Sequence, residues 1–322
     1  MTRESKFWSA SVRRSCAIGG RWSSAVAVAL MLLFVGRAAM AFPAMPFLPA
    51  QGSTSPSNGD LVPYGLAVVP FGFPGHTLVP GELLVSNFNS SVANGNLAGQ
   101  GSTIVEINPL TGQQLGVFFQ GLIPIGFTNA LAIVPEGFVF AGSVFTTNSN
   151  ASNPTAGPLY VFDKNGNQIT TITNVTSGPW GLAINDLGDS AQLFVSNVFD
   201  GTVTRINVSF RGGTVTAVGS PTTIGSGYSF GLDPAALVVG PAGLAYDSAS
   251  DRLYVASEDD NEIFVIGNAS TRSKTAGMGT LVFSDPSLEG PLGLIIAPNG
   301  NFITANADPA VHQDPNHPSE LV

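Results

Sequence analysis

The stretch that decides the fold runs from Gly178 to Asn207 and reads GPWGLAINDLGDSAQLFVSNVFDGTVTRIN. It holds three short runs rich in β-branched and aromatic residues, and Gly, Asn, Asp and Pro separate these runs. Such runs are typical of β-strands, and such separators are typical of turns. Asp200-Gly201 is also a dipeptide favoured in tight hairpins. The stretch therefore predicts three short strands in succession.

The same unit recurs along the chain. The glycine of its opening Gly-Leu phrase falls at residues 65, 181, 243 and 293, and Ala130 stands in its place once. A fourth, weaker run such as Gln168 to Ile172 follows the first three. Four strands per unit of 50–65 residues, repeated in tandem, are typical of β-propeller blades. A β-sandwich is the alternative, but it would not explain the recurring Pro-x-Gly-Leu phrase.

The sequence therefore predicts an all-β fold, a β-propeller of four-stranded blades over residues 62–322, with four full blades and part of a fifth. The glycine at the start of each first strand would let neighbouring backbones approach near the axis. Pro318 to Val322 aligns with the start of a third strand, so the chain stops inside a blade. Because propellers close their ring to avoid bare edges, we expect a longer, six-bladed protein.

Residues 1–41 are predicted to be an export signal and not part of the fold. Basic residues precede the apolar run Ala25 to Val35, and Ala39-Met40-Ala41 supplies the small residues of a cleavage site. The run has 11 residues, whereas a membrane-spanning helix needs about 20. We expect cleavage after Ala41 and a secreted or periplasmic protein in which residues 42–61 form a Pro/Ser/Gly-rich linker. An uncleaved anchor is the alternative.

The composition of the remaining chain limits its function. From Phe42 onward, 6 Lys and Arg stand against 20 Asp and Glu, which gives a net charge of −14. Such a surface repels phosphate backbones, so nucleic-acid binding is not expected. The only cysteine, Cys16, lies in the predicted signal, so the exported protein has no cysteine chemistry and must be held by packing alone.

The repeated phrases resemble those of the NHL-repeat and related YVTN-type propellers. The resemblance rests on GPWGLAI, LFVSN and GTVTRIN in one unit and on GPAGLAYD, DRLYVAS and NEIFVI in the next, and it covers residues 63–322. It implies the propeller fold. It leaves the function open, because this architecture hosts lyases, lactonases, RNA binders and scaffolds.

The resemblance also bears on metals. Amidating-lyase relatives need histidines from separate blades, whereas the exported chain has only His76, His312 and His317, with His76 on the opposite face from the other two. Gluconolactonase-like propellers hold calcium at the axis partly through the Asn of an Asn-Gly-Leu phrase, and only Asn129 matches here. We therefore expect no cofactor, no metal and no catalytic residue, with Ca²⁺ as the alternative.

The loops between second and third strands are rich in Asn, Ser and Asp, and they lie on the face where each first strand begins. Loops on a rigid scaffold commonly carry function, so this face and the channel mouth form the candidate binding site. Turn formation alone is the alternative. The predicted ligand-binding residues are Tyr64, Asn87, Asn129, Trp180, Asn197, Glu258 and Asn306.

These residues favour a binding or scaffold module over an enzyme. Binding needs shape, hydrogen bonds and an aromatic platform, whereas the alternative, a metal-dependent lactonase- or lyase-like enzyme, needs converging acids or histidines. We expect a neutral or cationic protein, peptide or glycan ligand, because the acidic surface disfavours anions. No stable membrane span is expected. The alternative role for Tyr64 and Trp180 is to plug the channel.

Overall fold

The described part of the chain consists of short antiparallel strands joined by tight turns. The computed structural model describes residues 52–75, 77–147, 153–173, 176–233 and 236–307. The predicted export signal, the first part of the predicted linker, all three histidines of the exported chain and the chain end at Pro318 to Val322 lie outside these ranges.

Four four-stranded sheets follow one another, each with its strands in chain order. The first contains β1 (Leu61–Val68), β2 (Leu83–Asn89), β3 (Thr103–Ile107) and β4 (Gln114–Gln120). The second contains β5 (Phe127–Val134), β6 (Phe138–Thr146), β7 (Pro154–Asp163) and β8 (Gln168–Ile172). The third contains β9 (Pro179–Asp186), β10 (Ser190–Asn197), β11 (Thr202–Arg211) and β12 (Thr214–Ser226). The fourth contains β15 (Pro241–Asp247), β16 (Arg252–Ser257), β17 (Glu262–Gly267) and β18 (Thr280–Ser284).

Two strand pairs complete the described structure. The hairpin of β13 (Gly231–Asp233) and β14 (Leu237–Val239) lies between the third and fourth sheets in the chain, and β19 (Pro291–Ile296) pairs with β20 (Phe302–Asn306) after the fourth. A short 3-10 helix, Val92–Asn94, follows β2. Among the described residues, no helix has the length and hydrophobicity needed to cross a membrane.

The first strands of successive sheets lie side by side, from β1 to β5, β9, β15 and β19. This order makes each sheet a blade and confirms the predicted propeller of four-stranded blades. Glycines permit the approach, as predicted. A Cβ atom on Gly181 would lie 2.0 Å from the carbonyl oxygen of Ala242 in the next blade, and one on Gly65 would lie 2.7 Å from the carbonyl oxygen of Thr128.

A serine on the second strand connects neighbouring blades. The Ser196 hydroxyl accepts a hydrogen bond from the Gly181 N–H at 2.8 Å and donates one to the Ala242 carbonyl oxygen at 2.7 Å. Ser86 makes the corresponding pair of bonds in the first blade. The repeated Val-Ser-Asn phrase therefore has a structural role, because its serine links one blade to the first strand of the next.

The hydrophobic core lies in layers between the blades. Along β10, Leu193 and Val195 pack into the layer shared with the second blade, whereas Phe194 packs into the layer shared with the fourth. This alternation follows from the two-residue period of a strand. Fully burying one such side chain contributes about 1.5–3 kcal/mol, so the layers hold the blades in fixed relative positions.

The segment that precedes β1 contacts the first blade. The carboxylate of Asp60 is buried and accepts hydrogen bonds from the Ser102 N–H at 2.7 Å and from the Thr103 hydroxyl at 3.0 Å. The Asn87 amide donates to the carbonyl oxygen of Thr54 at 2.8 Å. Polar contacts thus fix the second half of the predicted linker against β2 and β3.

Candidate binding site

A cavity of about 500 Å³ opens on the face where the first strands begin. Its volume lies within the range of about 300–1,000 Å³ that is usual for small-molecule sites. Four blades contribute to its wall, chiefly through Tyr64, Phe88, Asn129, Glu258, Leu292 and Asn306. The face that the sequence indicated as the binding face therefore carries a cavity of suitable size.

The predicted site residues divide into two groups. Four of them line the cavity, namely Tyr64, Asn129, Glu258 and Asn306. The other three are buried and lie outside the lining, namely Asn87, Trp180 and Asn197. That any of the seven contacts a ligand stays a prediction.

The asparagines at the ends of β2 and β10 hold loops in place. The Asn197 amide donates to the hydroxyls of Thr202 and Thr204, each at 3.0 Å, and its oxygen accepts the Ser177 N–H at 3.0 Å. Asn87 likewise donates to the Thr103 hydroxyl at 3.0 Å. In these two blades the recurring Asn therefore has a structural explanation that the sequence pattern alone did not separate from ligand binding.

Three aromatic rings meet at the centre of the described blades. Trp180 has no exposed surface, and its ring contacts Tyr64 and Phe88 edge-on, with centroid distances of 5.4 and 5.7 Å. Tyr64 and Phe88 stack at 5.0 Å, an arrangement that aromatic pairs favour. Because Tyr64 and Phe88 line the cavity, Trp180 lies directly behind the wall that they form.

Glu258 occupies a position that the other blades fill with apolar side chains. It follows the last residue of β16, and its N–H donates to the Gly240 carbonyl oxygen at 3.0 Å. By strand register, the residues at the same position in the other blades are Phe88, Val144, Val198 and Ala307. Three of these, Phe88, Val144 and Val198, pack in one apolar cluster with Trp180. A carboxyl group therefore stands where the fold otherwise places hydrocarbon.

The environment of Glu258 strongly favours its neutral form. Its side chain has no exposed surface, and neither carboxyl oxygen has a hydrogen-bond partner of acceptable geometry among the described residues. Burial raises the pKa of Glu258 well above its ordinary value, and the like charges of Asp259 and Asp233 raise it further. The N–H groups of Gly240 and Trp180 lie close enough to oppose this shift only in part. Glu258 therefore retains its proton at pH values where an exposed glutamate is charged.

Tyr64 and Glu258 are close enough to influence each other. Burial raises the pKa of the Tyr64 phenol well above its ordinary value, and the neighbouring Glu258 carboxyl adds to this shift. The phenol is therefore a neutral hydrogen-bonding group in the cavity at any physiological pH.

Two asparagines supply the remaining polar groups of the wall. The Asn129 amide donates to the Leu292 carbonyl oxygen at 3.0 Å and so joins the second blade to the fifth. The Asn306 amide donates to the Ser287 carbonyl oxygen at 2.8 Å, whereas its own side-chain oxygen is buried without a partner. Among the described residues, the wall thus carries three buried oxygens without a hydrogen-bond partner, two on the Glu258 carboxyl and one on the Asn306 amide.

The ionisable groups of the described wall are acids, and no basic residue is among them. Among the described lining residues, Glu258 is the only ionisable group besides the Tyr64 phenol, and none is Lys, Arg or His. Among the described residues, no group of three or more His, Cys, Asp or Glu side chains is clustered closely enough to hold a metal ion.

Of the six main wall residues named above, Phe88 and Leu292 were not predicted. Both could be found by aligning the repeats. Leu292 occupies the blade-start position that Tyr64 occupies in the first blade, and Phe88 follows the predicted Asn87 by one residue. The alignment of the repeats identifies equivalent positions in the blades, but it does not show which of these residues face the cavity.

These features define a β-propeller of four-stranded blades with a small-molecule-sized cavity near its axis.

No protein-family model matches the chain, and no curated protein matches it. Solved structures with a similar fold include hydrazine synthase of Kuenenia stuttgartiensis, at 13% identity and a TM-score of 0.48 over 81% of this chain and 83% of that one. A gluconolactonase of Xanthomonas campestris matches at 12% identity and a TM-score of 0.43, over 77% of this chain and 71% of that one. A functionally unknown protein of Desulfotomaculum acetoxidans matches at 12% identity and a TM-score of 0.44, over 83% of this chain and 73% of that one. Likeness at this level carries no information on function.

Proposed function

We propose that the chain is an exported, NHL-like propeller that binds a small ligand, or the end of a peptide, protein or glycan, in the cavity at its channel mouth. The observation that carries this proposal is the convergence of polar groups from separate blades on one cavity with mostly apolar walls. Binding sites for small molecules commonly combine apolar walls with a few placed polar groups.

The blades supply the rigidity that such a site needs. Tyr64 lies on β1, Asn129 on β5, and Glu258 just after β16, and each of these strands is held by the core layers between blades. A wall assembled from separate blades loses little conformational freedom when a ligand binds, which favours affinity.

The fluorescence of Trp180 can test this proposal. With Trp8 and Trp22 replaced by phenylalanine, Trp180 is the only tryptophan, and it contacts two residues of the cavity wall. We expect a saturable change in its emission with at least one member of a panel of amines, short peptides and sugars.

A variant pair shows whether such a response comes from the cavity. Ala305 lines the cavity, so Ala305→Leu should fill part of it and abolish the response. Ala217 lies exposed on β12, so Ala217→Leu should leave the response unchanged. A response that survives Ala305→Leu would place binding elsewhere and contradict the proposal.

The alternative is a metal-dependent lactonase- or lyase-like enzyme. The feature in its favour is the buried Glu258 carboxyl in the cavity wall, whose pKa is raised by burial, because acids with raised pKa values in clefts often act as proton donors. Turnover of lactones, esters or amidated peptides that requires Ca²⁺ or Zn²⁺ and is abolished by Asn129→Ala would favour this alternative over simple binding.

A further inference from the structure

The buried polar atoms of the cavity wall that have no partner are all oxygens, and all of them are acceptors once Glu258 is ionised. Both carboxyl oxygens of Glu258 and the side-chain oxygen of Asn306 are buried without a hydrogen-bond partner among the described residues, and both residues line the cavity. A buried acceptor without a partner costs about 1–3 kcal/mol. A ligand with several donors would recover this energy, and an ammonium group carries three donors and no acceptor.

The charges around Glu258 favour a cation over a neutral donor. The charged side chains that act on Glu258 are Asp259 and Asp233, and both are acidic. The remaining polar groups beside it are the Tyr64 phenol and the N–H groups of Gly240 and Trp180, which are uncharged. No basic residue is among those that line the described cavity. A cation in the cavity would therefore meet only attractive charges.

The aromatic side chains in and behind the cavity wall also favour an ammonium ligand. Tyr64 and Phe88 line the cavity and stack on each other, and Trp180 contacts both from behind. Aromatic faces attract ammonium cations, and they also cover the hydrocarbon part of an amine.

We propose that the cavity recognises a primary ammonium group, with the Glu258 carboxylate as its counter-ion and the Asn306 side-chain oxygen as a second acceptor. This inference rests on the proposed binding function and names the chemical class of its ligand. Simple amines, the amino terminus of a peptide and amino sugars share this group.

Binding of the cation should release a proton. Glu258 is neutral before binding, and an adjacent ammonium group favours its charged form, so the proton of the carboxyl passes to solvent and a carboxylate–ammonium pair remains. Because Glu258 has no exposed surface, its side chain or the Tyr64 ring has to rotate before the two groups can touch.

Two probes of matched shape test the inference by titration calorimetry. 2-Phenylethylammonium and 2-phenylethanol differ in the group that would meet Glu258, and the full chain should bind the ammonium probe about 10- to 100-fold more tightly, as expected for hydrogen bonds to a charged group. Glu258→Gln keeps the size of the side chain but cannot ionise, so it should abolish the preference. Glu262→Gln makes the same change on β17, outside the cavity lining, and should leave the preference intact.

Proton release provides a second readout that needs no variant. At neutral pH, the apparent binding enthalpy of 2-phenylethylammonium should differ between phosphate and HEPES buffers, because the released proton is taken up by the buffer and neither buffer contains a primary amine. Binding of 2-phenylethanol should show no such difference. An enthalpy that is independent of the buffer for both probes would overturn the role given to Glu258, even if Glu258→Gln failed to fold.

The outcomes separate the inference from the function on which it rests. Equal affinities for the two probes would overturn the ammonium inference and leave a binding cavity. Failure of every probe to bind, together with unchanged Trp180 emission across the whole panel, would contradict both. If ammonium binding is found, phenylalanine amide and glucosamine, compared with 2-phenylethylammonium, show whether a peptide terminus or an amino sugar fits better.

Discussion

Replacing Glu258 by leucine should stabilise the protein at neutral pH. The carboxyl is fully buried and makes no hydrogen bond of acceptable geometry with any described residue, whereas Val144 and Val198 fill the same position in other blades. A buried polar group without a partner costs about 1–3 kcal/mol, and leucine has a similar volume without that cost. We therefore expect Glu258→Leu to raise the free energy of unfolding by about 1–3 kcal/mol at pH 7.

The stabilisation by Glu258→Leu should increase as the pH rises. Since the pKa of Glu258 is raised by folding, the folded state holds its proton to higher pH than the unfolded state, whose value is near 4.5. Between these two pKa values the folded state binds more protons, so the wild-type protein loses up to about 1.4 kcal/mol per pH unit. Below pH 4.5 both states are protonated, and this loss is absent. The raised pKa values of Glu106 and Glu136 act in the same direction, but they are common to both proteins and cancel in the difference.

Urea unfolding followed by circular dichroism between pH 4 and pH 8 measures this difference. The gain from Glu258→Leu should be smallest near pH 4 and should increase with pH. Glu262→Gln serves as the control, and its effect should stay within about 0.5 kcal/mol throughout. A wild-type protein that is more stable than Glu258→Leu at pH 7, or a difference that does not change with pH, would show that Glu258 is charged and paired in the fold.

Three further predictions concern the blades and the export signal. Gly181→Ala should destabilise the protein by about 3 kcal/mol in the same unfolding assay, because its Cβ would meet the Ala242 carbonyl oxygen. Gly231→Ala is the control and should be nearly neutral, because the space around Gly231 is open. Ser196→Ala should cost about 2 kcal/mol because it leaves a buried N–H and a buried carbonyl group unpaired, and an unchanged midpoint would refute the blade-linking role. Mass spectrometry of the exported protein should find an amino terminus created by cleavage after Ala41, and an intact product in the membrane fraction would contradict it.

The blade pattern could be predicted because each repeat carries its own geometric requirements. Gly181 has to be small because the next blade touches it, and Ser196 has to be a hydroxyl residue because it links two backbones. The glycine recurs in four of the five units and the serine in the first and third, and this recurrence leaves a visible period in the sequence. The β13–β14 hairpin was not predicted, because it occurs once and three-residue strands leave no period.

The site could be predicted only as positions in a blade. Tyr64 and Trp180 hold the same position in the first and third blades, yet Tyr64 lines the cavity and Trp180 lies behind the wall. Trp180 packs against Tyr64 and Phe88 of the first blade. These two contacts join residues about 100 positions apart, and no local pattern in the sequence records them.

The account is tested most directly by a crystal structure of the protein with 2-(4-bromophenyl)ethylammonium. The anomalous signal of the bromine locates the ring, and the refined ligand shows the direction of the ammonium group. We predict a ring in contact with the aromatic wall of Tyr64 and Phe88 and an ammonium nitrogen at about 2.7–2.9 Å from a carboxylate oxygen of Glu258. A bromine peak outside the cavity, or an ammonium group directed away from Glu258, would contradict the account.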